Sequence, residues 1–129
     1  MMRRAVGAIL ALALIACELF EEECSLNIAN NMNLTLQDSI TGAPVVAEDI
    51  MVVTTDGAYS DTVRLSSGPS SPGTVVFVDG ERPGTYRVEV TATGYKPWVR
   101  DGVRVREDDD GCHVETVELL VRMQRIGST

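Results

Sequence analysis

The chain contains one histidine, His113. A Ser-His-Asp or Cys-His device would have to be built on it. Its neighbour is Cys112, and no nucleophile–base pairing surrounds it in the sequence. There is no glycine loop for phosphate and no HExxH or CxxC ligand spacing. These absences argue against an enzyme, and no cofactor is expected. Positive charge is also scarce. Lys and Arg number 11 against 19 Asp and Glu, for a formal net charge of −8. Phosphate contact needs Lys and Arg, so nucleic acid is not an expected partner. No apolar run approaches the ~20 residues that cross a hydrocarbon core. The unbroken apolar run spans residues 5–16, 12 residues, and Glu18, Glu21, Glu22 and Glu23 follow it closely. A membrane span here would have to bury carboxylates. Beyond that run, no segment shows a convincing period of 3.6, so no helix is expected.

What is present begins with that short run. Arg3 and Arg4 precede Ala5 to Ala16, which is the shape of an export signal. Leu14-Ile15-Ala16-Cys17 resembles the lipobox of bacterial lipoproteins: aliphatic, small or aliphatic, small, then cysteine. The resemblance implies lipidation of Cys17 and removal of residues 1–16; simple cleavage without lipid is the alternative. Such lipoproteins resemble one another in carrying several acyl chains, and a lone chain would anchor only weakly. Residues 17–31 then form a lipidated cysteine and an acidic tether, in which Glu18 to Glu23 read as a solvated spacer. Removal of residues 1–16 leaves 113 residues, and loss of Arg3 and Arg4 takes the net charge from −8 to −10. That length fits one domain. The charge repels anionic lipid, so the acyl chains would do the anchoring.

With Cys17 assigned to lipid, Cys24 and Cys112 remain as a pair. An exported protein sits where disulfides persist, so an even remainder predicts one bridge. Two free thiols or a thin metal pair are the alternatives. Closing a loop of 88 positions would stabilise by roughly 4–5 kcal/mol in the chain-entropy model.

From residue 32 to 126 the chain alternates with period 2, which reads as strands. Seven runs stand out: Met32-Leu34-Leu36; Ile50 to Thr55; Tyr59-Val63-Leu65; Thr74 to Val78; Tyr86-Val88-Val90-Ala92; Val99-Val103-Val105; and Val117-Leu119-Val121-Met123. Turn signals separate them at residues 41–44, 56–57, 79–80, 93–94 and 108–111, and Ser66 to Gly73 reads as a mobile loop. Seven short strands with frequent turns predict an all-β, seven-stranded antiparallel β-sandwich, Ig-like or transthyretin-like. First and last strands are often neighbours, so a Cys24–Cys112 bridge would pin the N-terminal lead near the last strand, which Cys112 would open.

Asp38-Ser39-Ile40-Thr41-Gly42-Ala43-Pro44-Val45 is similar to the first turn of carboxypeptidase regulatory-like domains. Pro83-Gly84-Thr85-Tyr86-Arg87-Val88-Glu89-Val90, followed by Gly94-Tyr95, resembles their second signature. The resemblance covers roughly residues 32–125. It implies a transthyretin-like sandwich without catalytic machinery, used as a scaffold or binding module. Gly42 and Gly94 would supply φ > 0 in tight turns. Tyr86 would bury its ring and lend its hydroxyl to a backbone partner.

Two surface features are candidate sites. Tyr95, Trp98, Arg100 and Arg104 form a possible recognition patch. Strict alternation with Val99, Val103 and Val105 facing the core puts Trp98 outward beside the arginines, where cation–π stacking is available. A bulge at Asp101-Gly102 would instead swap the face and bury Trp98. Glu107, Asp108, Asp109 and Asp110 are a weak calcium candidate, since carboxylates in a turn can supply several oxygens. The plainer reading is an acidic hairpin turn with Gly111 at φ > 0. These features predict a lipid-anchored, non-enzymatic envelope protein that presents a binding or structural module. The alternative is an accessory subunit of an envelope peptidase, transporter or carbohydrate-handling complex. Expected partners are the membrane, through the N-terminal lipid, and an unidentified protein or glycan. The expected location is the bacterial envelope, on the periplasmic or surface face of the outer membrane.

Overall fold

The computed structural model describes residues 24–65 and 74–127. The signal run 1–16, Cys17, the tether from Glu18 to Glu23 and the loop from Ser66 to Gly73 lie outside the described residues. Among the described residues there is no helix. The strands are β1 (Met32–Asp38), β2 (Ile50–Asp56), β3 (Tyr59–Leu65), β4 (Thr74–Val78), β5 (Gly84–Ala92), β6 (Trp98–Glu107), β7 (Val114–Glu115) and β8 (Val117–Met123). They form a three-stranded sheet, β4-β1-β8, and a five-stranded sheet, β3-β2-β5-β6-β7. The architecture is all-β and sandwich-like.

Alternation explains the core. Met32, Leu34 and Leu36 of β1, Val76 and Val78 of β4, and Leu119, Val121 and Met123 of β8 are buried from one sheet. Ile50 and Val52 of β2, and Tyr86, Val88, Val90 and Ala92 of β5, are buried from the other. Successive side chains of a strand leave on opposite faces, so one apolar residue in two suffices to line the interior. Burial of a Val, Leu or Ile side chain stabilises by about 1.5–3 kcal/mol each. Gly42 and Gly94 do take positive φ, 71° and 89°. Tyr86 is buried, and its hydroxyl donates to the Arg82 carbonyl at 2.6 Å.

Three expectations are corrected. The strands number eight rather than seven. Val114–Glu115 forms a short β7 on the end of β6, through Arg106↔Glu115 and Glu107↔Val114. At Thr116 the chain then steps across to the other sheet: its hydroxyl donates to the Asn30 carbonyl and the Val117 amide donates to that of Asn31. Cys112 therefore lies in the turn before β7 and does not open the last strand. Second, the sandwich is not antiparallel throughout, because β1 and β8 pair in parallel from Met32↔Val117 to Asp38↔Met123. First and last strands are indeed neighbours. Third, Val99 does not share the core face of Val103 and Val105. The ladder with β5 runs Val90↔Trp98, Glu89↔Val99, Val88↔Arg100, then Tyr86↔Val103. Asp101 and Gly102 together oppose Arg87, so the extra residue reverses the alternation. Gly102 sits at φ 70°, which a side chain resists.

Strand direction gives the molecule two ends. β1 and β8 start, and β4 and β6 finish, at the end that carries Cys24 and Cys112. The loops 39–49 and 93–97 and the residues after β8 lie at the far end.

Candidate functional site

The disulfide end is built around one bridge and one histidine. Cys24 and Cys112 are bonded, with Cα atoms 5.3 Å apart. Next to them, His113 reaches Glu81 through Nδ1 at 2.6 Å. Its Nε2 lies 3.0 Å from the Ser25 carbonyl and 3.2 Å from the Ser25 hydroxyl. The same Glu81 oxygen accepts the Ala29 amide at 2.6 Å. Glu81 holds this position with φ at 43°, a region that non-glycine residues seldom occupy. Three separate pieces of chain thus meet: the N-terminal lead, the β4–β5 loop and the β6–β7 turn.

Ser25, His113 and Glu81 fall in the order nucleophile, base, carboxylate. Both ring nitrogens of His113 have oxygen partners. A general base needs a lone pair on Nε2. Here Nε2 faces the Ser25 carbonyl, which can only accept, beside the Ser25 hydroxyl, which can donate or accept. Nδ1 donates to Glu81. The ring bridges Glu81 and Ser25, and its protonated form satisfies both acceptors, which clamps Ser25 in place. The Glu81 carboxylate pushes the His113 pKa up from its ordinary 6.5. Conversely, the Ala29 amide and then His113 pull Glu81 down from 4.5.

Behind the clamp, buried Asn31 donates to the Asp79 carbonyl and accepts the Arg82 amide. Arg82 bonds Asp56 at 3.0 Å and lies 4.1 Å above the Tyr59 ring. The loop that carries Glu81 is therefore fixed on both sides. The acidic turn is a support for the same cluster. Asp108 Oδ1 accepts the amides of Cys112 and His113, while Glu107, Asp109 and Asp110 face solvent. Gly111 takes φ 68°, as a tight turn there requires. The four carboxylates are not gathered on one point. Among the described residues, no group of three or more His, Cys, Asp or Glu is placed to hold a metal ion.

The far end has its own network. Asp38 is 3% exposed and accepts five ways. Its Oδ1 takes the amides of Ile40 and Thr41, its Oδ2 takes Arg125 Nε at 2.7 Å and the Tyr95 hydroxyl at 3.4 Å, and its carbonyl takes the Gly42 amide. The two amides first, and Arg125 after them, hold its carboxyl well below the usual carboxylate range. Lys96 N–H donates to Gln124, Ile126 N–H to Gly94, and Ser39 N–H to Met123. The β1–β2 loop, the β5–β6 turn and the C-terminal segment are thereby stitched into one tip. Ile40 and Ile126 stand out from it, 68% and 66% exposed.

The bulge divides the expected recognition patch. Tyr95 is buried and belongs to the Asp38 network. Trp98 is half-buried against the core, and Arg100 stacks on it at 5.1 Å. Arg104 pairs with Thr85 one step past the core-facing Tyr86↔Val103 pair, so it lies on the opposite face of the sheet. Trp98 and Arg100 are brought together; Tyr95 and Arg104 are not part of the same surface. Sequence reasoning missed Ser25, Glu81 and Arg125. Their partners lie 88, 32 and 87 positions away, and no local pattern marks such pairs.

No family model matches this chain, and no curated protein matches it. Its own residues carry the functional argument.

Proposed function

We propose that the chain is a lipid-anchored, non-enzymatic envelope protein whose β-sandwich is a binding or structural module, held to a bacterial membrane through Cys17. The observation that carries this reading is the Cys24–Cys112 disulfide. Structural disulfides belong to oxidising compartments, which agrees with an export signal ahead of Cys17. The bridge begins seven positions after that cysteine, so it ties the domain to the anchored end of the chain. The bonding of His113 to both Glu81 and Ser25 supports a non-catalytic role, because the single histidine is engaged in holding the N-terminal lead. The transthyretin-like, carboxypeptidase regulatory-like character rests on the turn residues from Asp38 to Val45 and from Pro83 to Val90. A second reading, an accessory subunit of a larger envelope complex, draws on the stitched tip. Its exposed Ile40 and Ile126 point away from the anchored end and offer a partner surface.

The test is processing in a lipoprotein-competent bacterial host. The purified protein should lack residues 1–16, carry acyl mass on Cys17 and partition with membranes. Cys17→Ser should abolish the acyl mass and the partitioning. A parent chain with no acylation, or one recovered wholly from the soluble fraction, would end this reading.

A further inference from the structure

Leu26 and Ile28 are the most exposed large apolar residues described, at 99% and 77%. They do not belong to a free tail. Cys24 is bonded to Cys112, Ser25 is held by His113, and Ala29 donates to Glu81. The lead is thus fastened immediately before and after them, and two aliphatic side chains are presented to solvent on a fixed backbone. Fixing them there removes apolar surface from nothing in this chain. Such an arrangement gains only when another apolar phase covers it.

We infer that Leu26 and Ile28 insert into the interfacial layer of a phospholipid membrane, so that the disulfide end of the sandwich rests on the bilayer. This rests on lipidation at Cys17. From Cys17 to Cys24 is seven residues, and a chain of that length spans at most about 25 Å. The lead is therefore confined to the neighbourhood of the headgroups, whatever path the tether takes. Other exposed apolar residues are placed elsewhere. Ile40 and Ile126 are at the far end, and Val75, Phe77 and Leu120 lie on the outer face of the three-stranded sheet. Charge selects the lipid. Asp79, Glu81 and Glu107 to Asp110 surround this end, and its Arg82 is paired with Asp56. The surface suits zwitterionic headgroups rather than anionic ones.

The experiment uses the full, processed lipoprotein in nanodiscs of phosphatidylcholine and phosphatidylethanolamine, with a gadolinium chelate on some headgroups. Amide signals of residues 25–28, 80–82 and 109–113 should be broadened selectively, while those of residues 40–43 and 94–97 persist. The Leu26→Ser/Ile28→Ser variant should stay acylated and disc-bound but lose that selectivity. Both positions are exposed, so folding is not at issue; an intact disulfide confirms it. The inference is overturned if the acylated parent shows equal broadening at both ends, or if the double variant matches the parent. Failure of the anchor itself reads differently: mass spectrometry would show no acyl group and the chain would leave the disc, which removes this docking with it.

Discussion

At the scale of single residues, the structure places its polar groups where they fasten loops. Asp38 gathers three segments at the tip, and Glu81 gathers three at the opposite end. The sequence marked Asp38 only as the start of a turn, and it did not mark Glu81 at all. Each acquires its role from residues far along the chain. The His113–Glu81 pair has a definite pH signature. His113 is raised above 6.5 in the folded state, so its contribution is complete below 6.5 and lost as pH rises through the raised value. Glu81 is lowered below 4.5, so its contribution is present above 4.5 and lost as pH falls through the lowered value. Nearby Asp108 acts on both, favouring the imidazolium and opposing the Glu81 carboxylate. The pair should therefore stabilise most between pH 4.5 and 6.5. Urea midpoints of the parent and His113→Gln, compared across pH, would show their largest gap in that window. A gap that stayed constant into alkaline solution would mean that the histidine is neutral when folded.

At the scale of elements, β6 is where alternation was misleading. Val99, Val103 and Val105 are all valines, and nothing in their side chains says that one of them faces water. The reversal comes from one extra residue, and Asp101-Gly102 was the visible signal for it. Gly102 sits at φ 70°, and a Cβ built there would meet nothing within 4 Å. Gly102→Ala should then cost only backbone strain, roughly 1 kcal/mol or a little more, or about 4–8 °C in thermal midpoint for a domain of this size. Trp98 emission should stay unchanged, since the strand's faces are preserved. An unchanged midpoint would show that the bulge relaxes, and a red-shifted Trp98 would show that the register has slipped. β7 was missed for a related reason. Two residues carry too little periodicity to read, and their strand character comes from pairing with the end of β6.

At the scale of the whole molecule, the disulfide joins the N-terminal lead to the turn between β6 and β7, on the side where the chain leaves one sheet for the other. The paired change Cys24→Ala/Cys112→Ala should leave the alternating core to fold and lower stability by about 2–5 kcal/mol, read as a drop in urea midpoint. No change in midpoint would mean that the unfolded chain is not measurably constrained by the bridge. It should also loosen the lead, so that Ser25 loses its hold on His113. Much of the sandwich was legible beforehand. Seven of the strands, the described turns between them, the buried face of β1, β5 and β8, and the bridge itself follow from period-2 patterning, turn residues and the pairing of two leftover cysteines. All of these are local or arithmetical properties of the chain. Only the tertiary structure decided that β1 and β8 run parallel, that Val99 turns outward while Trp98 turns in, and that Arg104 leaves the face of Arg100. It alone assembled Ser25, Glu81 and His113 into a clamp, and Asp38, Tyr95 and Arg125 into a tip. The physical reason is the same throughout: a strand's faces are set by its neighbouring residues, whereas a hydrogen-bond partner 87 or 88 positions away is chosen by how the sheets close.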